Sequence, residues 1–261
     1  MEGKLLFLGT GASTGVPVIG CSCPVCTSSN SKNHRLRSSA LITLGNKELV
    51  LDVGPDFRQQ ALKYHIDHVD GVLITHAHYD HIGGIDDLRV LYYMQEKPIP
   101  CLLSKDTFEQ MQKKLEHLFH QKTYKSSLTV QLDFTLLEKD SGKVNFLDIP
   151  LLYCSYFQGN AKVTGFRFGD LAYFTDIREF NEDICPSLQG VKTLIISALR
   201  WEASPVHFSI EEAIEFGVLA DVPNLWITHV AHEIDYDEAV KKLPPHVHLA
   251  YDGLELPFQS F

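Results

Sequence analysis

No apolar run in this chain approaches the roughly 20 residues that a membrane-crossing helix requires, which excludes a helical membrane anchor within it. Positive charge is scarce: 23 Lys and Arg stand against 33 Asp and Glu, a formal net charge of −10. That surplus argues against broad electrostatic binding to nucleic acid or to an anionic bilayer. The opening stretch MEGKLLFLGTG lacks the cationic start, the longer apolar core and the cleavage site of a secretory signal, so the cytoplasm is the expected compartment. Cysteine is sparse, six in 261 residues, and three of the six are clustered, which fits metal binding better than a disulfide framework. Repeats, low-complexity tracts and linker-like segments are missing, so a single domain over residues 1–261 is expected. An apolar share of 44% is ordinary for a chain with a sizeable core.

What is abundant is histidine in one place. The stretch GVLITHAHYDHIGG, residues 71–84, runs from an apolar strand-like segment directly into His76, His78, Asp80 and His81. A short apolar run bounded by glycine reads as a buried strand. The four donors that follow occupy six positions, where the strand gives way to a loop. Imidazole and carboxylate are ligands for divalent zinc, manganese and iron. At i, i+2, i+4 and i+5 on a tight loop, two pairs can point toward two neighbouring ions. Gly83 and Gly84 permit close backbone approach and a turn into a helix with apolar positions Ile85, Leu88, Val90 and Leu91.

A second cluster, GCSCPVC, places Cys21, Cys23 and Cys26 at spacings that let three thiolates share one zinc. A tetrahedral structural site needs one more ligand, which spacing alone leaves open. Upstream, GTGASTG follows a strand at residues 4–8, but its third glycine falls one place late for a dinucleotide-binding loop and no helical pattern follows. A tight turn carrying backbone amides near a site is the expected role.

The remaining pattern alternates strands and helices. Residues 33–37 (NHRLR) read as a solvated lead-in to a strand at 39–44, joined through a Gly45-Asn46 turn to another at 48–51. Asp52 ends that strand. A helix is expected over 57–64 and a second from Asp106, with Phe108, Met111, Leu115, Leu118 and Phe119 on one face; His117 and His120 near its end read as non-ligands. Residues 128–137, 143–147 and 149–156 read as antiparallel strands with a turn at Ser141-Gly142. Residues 164–168 and 171–174 form a hairpin that ends in Thr175-Asp176. Further strands are expected at 193–198, 224–228 and 247–251. Ser209 and Glu212 have capping-box spacing just after His207, and the strand at 224–228 runs into His229, with His232 three residues on.

Together the segments GTGASTGVP, GCSCPVC, THAHYDHIGG, YFTD, SPVHFSIEEA, ITHVAH and AYDG resemble the metallo-β-lactamase superfamily. Within it, they are most similar to the PhnP-like branch of phosphodiesterases that open ribosyl cyclic phosphates. The resemblance covers nearly the whole chain. It implies an α/β fold: the αβ/βα sandwich, two mixed β-sheets flanked by helices. It also implies one active-site ion on His76 and His78, a second on Asp80, His81 and His229, and Asp176 bridging the two. His232 would complete the structural zinc with Cys21, Cys23 and Cys26. Asp52 would orient the histidine loop, Asp80 the attacking hydroxide, and His207 would act as general acid. The implied cofactors are two divalent ions in the active site, manganese or zinc with iron as a further choice, and one structural zinc.

One position departs from the branch. A histidine followed by glycine is expected seven residues before Gly165, and Gln158-Gly159 stands there instead. An amide oxygen is a poorer zinc ligand than imidazole, so the first ion is expected to bind weakly, to be absent or to recruit another donor, with weaker occupancy than at the Asp80–His81–His229 position. The expected activity is hydrolysis of a small cyclic phosphate or nucleotide-like diester through a metal-bridged hydroxide. The alternatives are a thioester or lactone hydrolase of the same fold, or a degenerate metal-binding protein. The expected partner is a small anionic phosphodiester rather than nucleic acid or membrane, with homodimer formation common among such folds.

Overall fold

The computed structural model describes residues 1–119, 129–181 and 184–261. Its first half contributes β1 (Glu2–Gly9), β2 (Ser39–Leu44), β3 (Lys47–Leu51), α1 (Phe57–Tyr64), β4 (Gly71–Ile74), α2 (Tyr79–Ile82), α3 (Leu88–Gln95), β5 (Ile99–Ser104), α4 (Lys105–Lys114), α5 (Glu116–Phe119) and β6 (Leu132–Leu137). The second half contributes β7 (Ser141–Phe146), β8 (Ile149–Gln158), β9 (Ala161–Phe168), β10 (Leu171–Phe174), α6 (Ile184–Ser187), β11 (Thr193–Ser197), α7 (Ile210–Leu219), β12 (Asn224–Thr228), α8 (Tyr236–Lys242), β13 (Val247–Leu249) and β14 (Glu255–Gln259). Among the described residues these strands form two seven-stranded sheets, ordered β14-β1-β2-β3-β4-β5-β6 and β13-β12-β11-β10-β9-β8-β7.

Both sheets are mixed. Strands β3 to β6 run parallel, as do β10 to β13, while the hairpins β2–β3 and β9–β10 are antiparallel. Period-2 alternation decides what each face meets. Leu5, Phe7, Leu49, Leu51, Leu73 and Leu102 point inward and pack against Leu151, Phe166, Phe168, Tyr173 and Ile195 of the other sheet. Val50, Val72, Ile74, Cys101 and Leu103 point outward under Phe57, Leu88, Leu91 and Met111 of the helices. A third core lies outside the second sheet, where Ile210, Ala213 and Phe216 of α7 cover Leu194, Ile196, Leu225 and Ile227. Both faces of β4 are therefore buried, which is why its sequence is uninterrupted apolar residues. The result is the expected αβ/βα sandwich. No helix among the described residues is long and apolar enough to cross a membrane.

The structure corrects several local expectations. β6 does not pair with β7: it runs parallel to β5 at the edge of the first sheet, and β7 begins the second. Each strand pairs where its apolar face is needed, so chain order did not predict the partner. Leu128, the expected start of that strand, lies outside the described residues, as does His120. Ser141-Gly142 is strand rather than turn, paired with Cys154 and Tyr153. The helix read from Asp106 breaks at Leu115 into α4 and α5, and Val90 is exposed rather than core-facing. β14 lacked a clear signal and pairs antiparallel with β1. Arg35 is only 2% exposed, not solvated: its Nη1 donates to Thr10 Oγ1 at 2.7 Å and to the Ala250 carbonyl at 2.6 Å.

Candidate metal centre

The histidine loop begins where β4 ends, and its shape is set by its neighbours. Asp52, one residue past β3, accepts from Thr75 N–H (2.8 Å) and Thr75 Oγ1 (2.8 Å) and contacts His81 Nδ1 at 2.7 Å. The His81 and Val53 backbones are tied by an N–H to carbonyl bond of 2.8 Å, and Lys114 Nζ donates to the Ala77 carbonyl at 2.7 Å. A Cβ at Gly54 would collide with the Asp80 carbonyl, so glycine is what lets the two loops close on each other.

Three strand exits then deliver further donors. Asp52, Asp176 and His229 each follow closely on a strand and each lies in the left-handed region, with φ of 60°, 56° and 57°. Such backbone costs of order 1–3 kcal/mol per residue, concentrates at functional sites and re-aims the side chain as the strand ends. His229 Nε2 stands 3.4 Å from Asp80 Oδ2 and 3.3 Å from Asp176 Oδ1. His81 Nε2 stands 3.3 Å from Asp80 Oδ2 and 3.2 Å from Asp176 Oδ2. His76 Nε2 and His78 Nδ1 lie 3.0 Å apart. His207, fixed just ahead of the Ser209 capping box on α7, places Nδ1 3.6 Å from Asp176 Oδ1. Gln158 Nε2 lies 3.3 Å from Asp176 Oδ1 and 2.9 Å from His207 Nε2.

The electrostatics are those of a buried anionic pocket. Burial works against the Asp176 carboxylate, yet His229 and His81 beside it hold it well below the usual carboxylate range. Asp80 is lowered in the same way by His81 and His229, despite its own burial. Burial would lower His81, but Asp176, Asp80 and Asp52 around it push it well up. Burial draws His207 down to about 4, so it is neutral at pH 7. Three carboxylates thus surround one buried imidazole, and buried negative charge of that density calls for a cation. Buried His81 Nε2, His229 Nδ1 and His207 Nδ1 have no properly aligned hydrogen-bond partner. Ligand atoms of Asp80, His81 and His229 lie within 4.8 Å of one another, as do those of His76, His81 and Asp176, and of Asp176, His207 and His229. The residues fit divalent metal.

The pocket opens into a cleft of about 680 Å³, lined in part by His78, Asp80, Asp176, His207 and His229 together with Ser13, Tyr79, Asn160 and Val206. These four, and Thr75 as a partner of Asp52, were missed in the sequence. Ser13 had a faint signal, because the glycine loop was expected to turn near a site; the others carry no chemistry-bearing pattern. Among the described residues the cleft lining includes no Lys or Arg. Arg37 is paired with Asp56 at 3.0 Å, and His117 meets Asp86 at the surface at 2.8 Å.

The cysteines form a separate centre. His232 Nδ1 lies 3.3 Å from Cys21 Sγ and 3.5 Å from both Cys23 Sγ and Cys26 Sγ. Backbone N–H groups of Cys26 and Val18 donate to the sulfurs of Cys23 and Cys26 at 3.4 and 3.3 Å. The bond from Cys26 N–H is the main reason the Cys23 thiol is drawn down to about 6, whereas burial pushes Cys26 up to about 11. None of the three is in a disulfide. Three sulfurs and one imidazole nitrogen at this separation fit a closed tetrahedral zinc site.

Residues 47–230, more than half of the chain, match the β-lactamase superfamily domain. A crystal structure described as a new diphosphatase from the PhnP family is 29% identical with a TM-score of 0.91, covering 100% of this chain and 98% of that one. Zinc-bound PqqB from Methylobacterium extorquens, 19% identical with a TM-score of 0.72, covers 97% of this chain and 99% of that one; it shows the shared fold alone. A Porphyromonas gingivalis protein named octanoyltransferase is 33% identical over 255 residues, 97% of this chain but 51% of the relative, so the chain spans about half that relative's length. The chain therefore belongs to the β-lactamase superfamily, a fold family made up mostly of metal-dependent hydrolases, and it resembles the PhnP family over its whole length.

Proposed function

We propose that the chain is a metal-dependent phosphodiesterase acting on a small cyclic phosphate or nucleotide-like diester. The observation that carries this reading is the convergence of Asp80, Asp176 and His229 on the lining of an open cleft, with His81 buried beside them. Divalent metal held there would polarise a phosphoryl oxygen and acidify a water molecule. The protein's own residues supply the rest. Asp80 keeps an ionised carboxylate at the cleft, able to orient an attacking water. Asp52 holds His81 through Nδ1, which leaves Nε2 free to ligate. His207 stands on the cleft wall, where the negative charge of a bound diester raises its proton affinity and readies it to protonate a leaving alkoxide. A cleft without Lys or Arg among its described lining suits the single charge of a diester better than a monoester dianion. The likeness to a PhnP-family diphosphatase supports phosphoryl chemistry.

A second reading, thioester hydrolysis, is favoured by one finding: the Porphyromonas relative is named for octanoyl transfer. Exposed Tyr79 and Val206 at the cleft give an acyl chain something to lie against. Bis-p-nitrophenyl phosphate and an octanoyl thioester, assayed side by side with added manganese, separate the two. Turnover of the diester alone supports the phosphodiesterase; turnover of the thioester alone replaces it. Metal bound with neither substrate cleaved favours a binding protein.

A further inference from the structure

The donors available at the two expected ion positions are unequal. On one side Asp80, His81 and His229 close on a common point, with Asp176 3.2 Å from His81 Nε2 and 3.3 Å from His229 Nε2. On the other side, His76 converges with His81 and Asp176, both already drawn on by the first position, while His78 Nδ1 meets His76 Nε2 at 3.0 Å but joins no cluster of three metal-competent atoms among the described residues. The third donor expected there is Gln158, the last residue of β8, held at a tight turn by Gly159 with φ of 55°.

Gln158 presents an amide in place of an imidazole. Its side-chain nitrogen faces Asp176 Oδ1 at 3.3 Å, as an amide beside a bare carboxylate does. An amide NH2 has two donors and no lone pair for a metal. The same nitrogen stands 2.9 Å from His207 Nε2, so it ties Asp176 to His207. The Gln158 Oε1 is buried without a hydrogen-bond partner, so at most one neutral amide oxygen is offered where an imidazole ligand was expected.

We infer that each active site of this protein holds one divalent ion, on Asp80, His81, His229 and Asp176, and that Gln158 replaces the ligand that would retain a second. The inference rests on the metal-hydrolase reading and deepens it. The amide oxygen at this position is a weaker donor to an ion than imidazole. The His76–His78 position is left with fewer strong donors than the Asp80 position, and that asymmetry sets the order and extent of filling.

The test is manganese titration of the full chain with its cysteine-held zinc left in place, since manganese prefers oxygen and nitrogen to thiolate. Bound ions are counted by elemental analysis after desalting, and electron paramagnetic resonance separates an isolated ion from an exchange-coupled pair. The wild type should retain one manganese per chain with the signal of an isolated ion. Gln158→His should retain two with a coupled signal, its second ion bound about tenfold more tightly or better, as one regained imidazole contact implies. A coupled pair in the wild type overturns the inference while leaving the metal-hydrolase reading intact. No retained manganese overturns both. One ion in the wild type and still one in a folded Gln158→His would show that residue 158 does not control the second position; should that variant not fold, the wild-type count decides.

Discussion

One loop feeds both clusters of metal-competent side chains. After β12, His229 turns into the cleft and His232, three residues on, meets the sulfurs of Cys21, Cys23 and Cys26. The two centres solve different problems. In the cysteine cluster two sulfurs accept backbone N–H bonds and all three converge on one nitrogen, a set of four donors that would leave an ion no position for substrate. In the cleft the carboxylates of Asp80 and Asp176 face imidazoles across 3.2–3.4 Å, the space above stays open, and the donor set suits a hard divalent cation. Soft donors in a closed shell build stability, whereas hard donors in an open one build reactivity.

The contrast breaks most sharply at Asp176. Asp176→Ala should lower turnover by about a thousandfold or more, because several kcal/mol of charge stabilisation is lost. The chain should stay folded by circular dichroism. Near-normal turnover at saturating manganese would mean that the cleft chemistry does not depend on this carboxylate. Cys23→Ser tests the opposite side. It should cost about 3 kcal/mol or more of stability, the range reserved for loss of a metal site or a comparable feature. Turnover per folded molecule should change little, and denaturant unfolding alongside an active-site titration reads both. A variant with unchanged stability would remove the structural role of the knuckle.

A finer division comes from Asp52, which touches His81 and Thr75 but not the open cleft. Asp52→Asn keeps the shape and loses the anionic partner of His81 Nδ1. Manganese affinity should fall about 10–100-fold, while the zinc content is unchanged; loss of zinc instead would show that the two centres are coupled through the fold. The smallest effect is expected at Ser209, whose hydroxyl accepts from Glu212 N–H while the Glu212 carboxylate accepts from Ser209 N–H. Ser209→Ala should cost about 1 kcal/mol by thermal unfolding. A much larger drop in turnover than in stability would reveal how tightly the cap positions His207.

Local features were legible because their causes are local. The THAHYDHIGG donors share one strand exit, the GCSCPVC sulfurs share one turn, and the Ser209–Glu212 box and the β9–β10 hairpin each close within a few residues. A short apolar run bounded by glycine also located the buried strand β4, since a strand covered on both faces reads differently from a half-exposed one, whereas the αβ/βα layering was implied by the family resemblance. Gln158 was legible as an irregularity against a resemblance, but the contact of its NH2 with Asp176 was not.

The chain by itself determined which donors exist, that four of them share a short loop, and that three thiolates share another. Only the tertiary structure decided that Asp176 and His229, about 100 residues or more from that loop, arrive within 3.4 Å of it. It also decided that Arg35 is buried and that β6 and β7 part company into different sheets. The reason is physical. Bringing distant strand ends together is driven by burial of two sheets against each other, a non-directional force spread over dozens of side chains. No short pattern records where that stacking will place the left-handed residues Asp176 and His229, which meet at 3.3 Å within the second sheet, against His81 of the first.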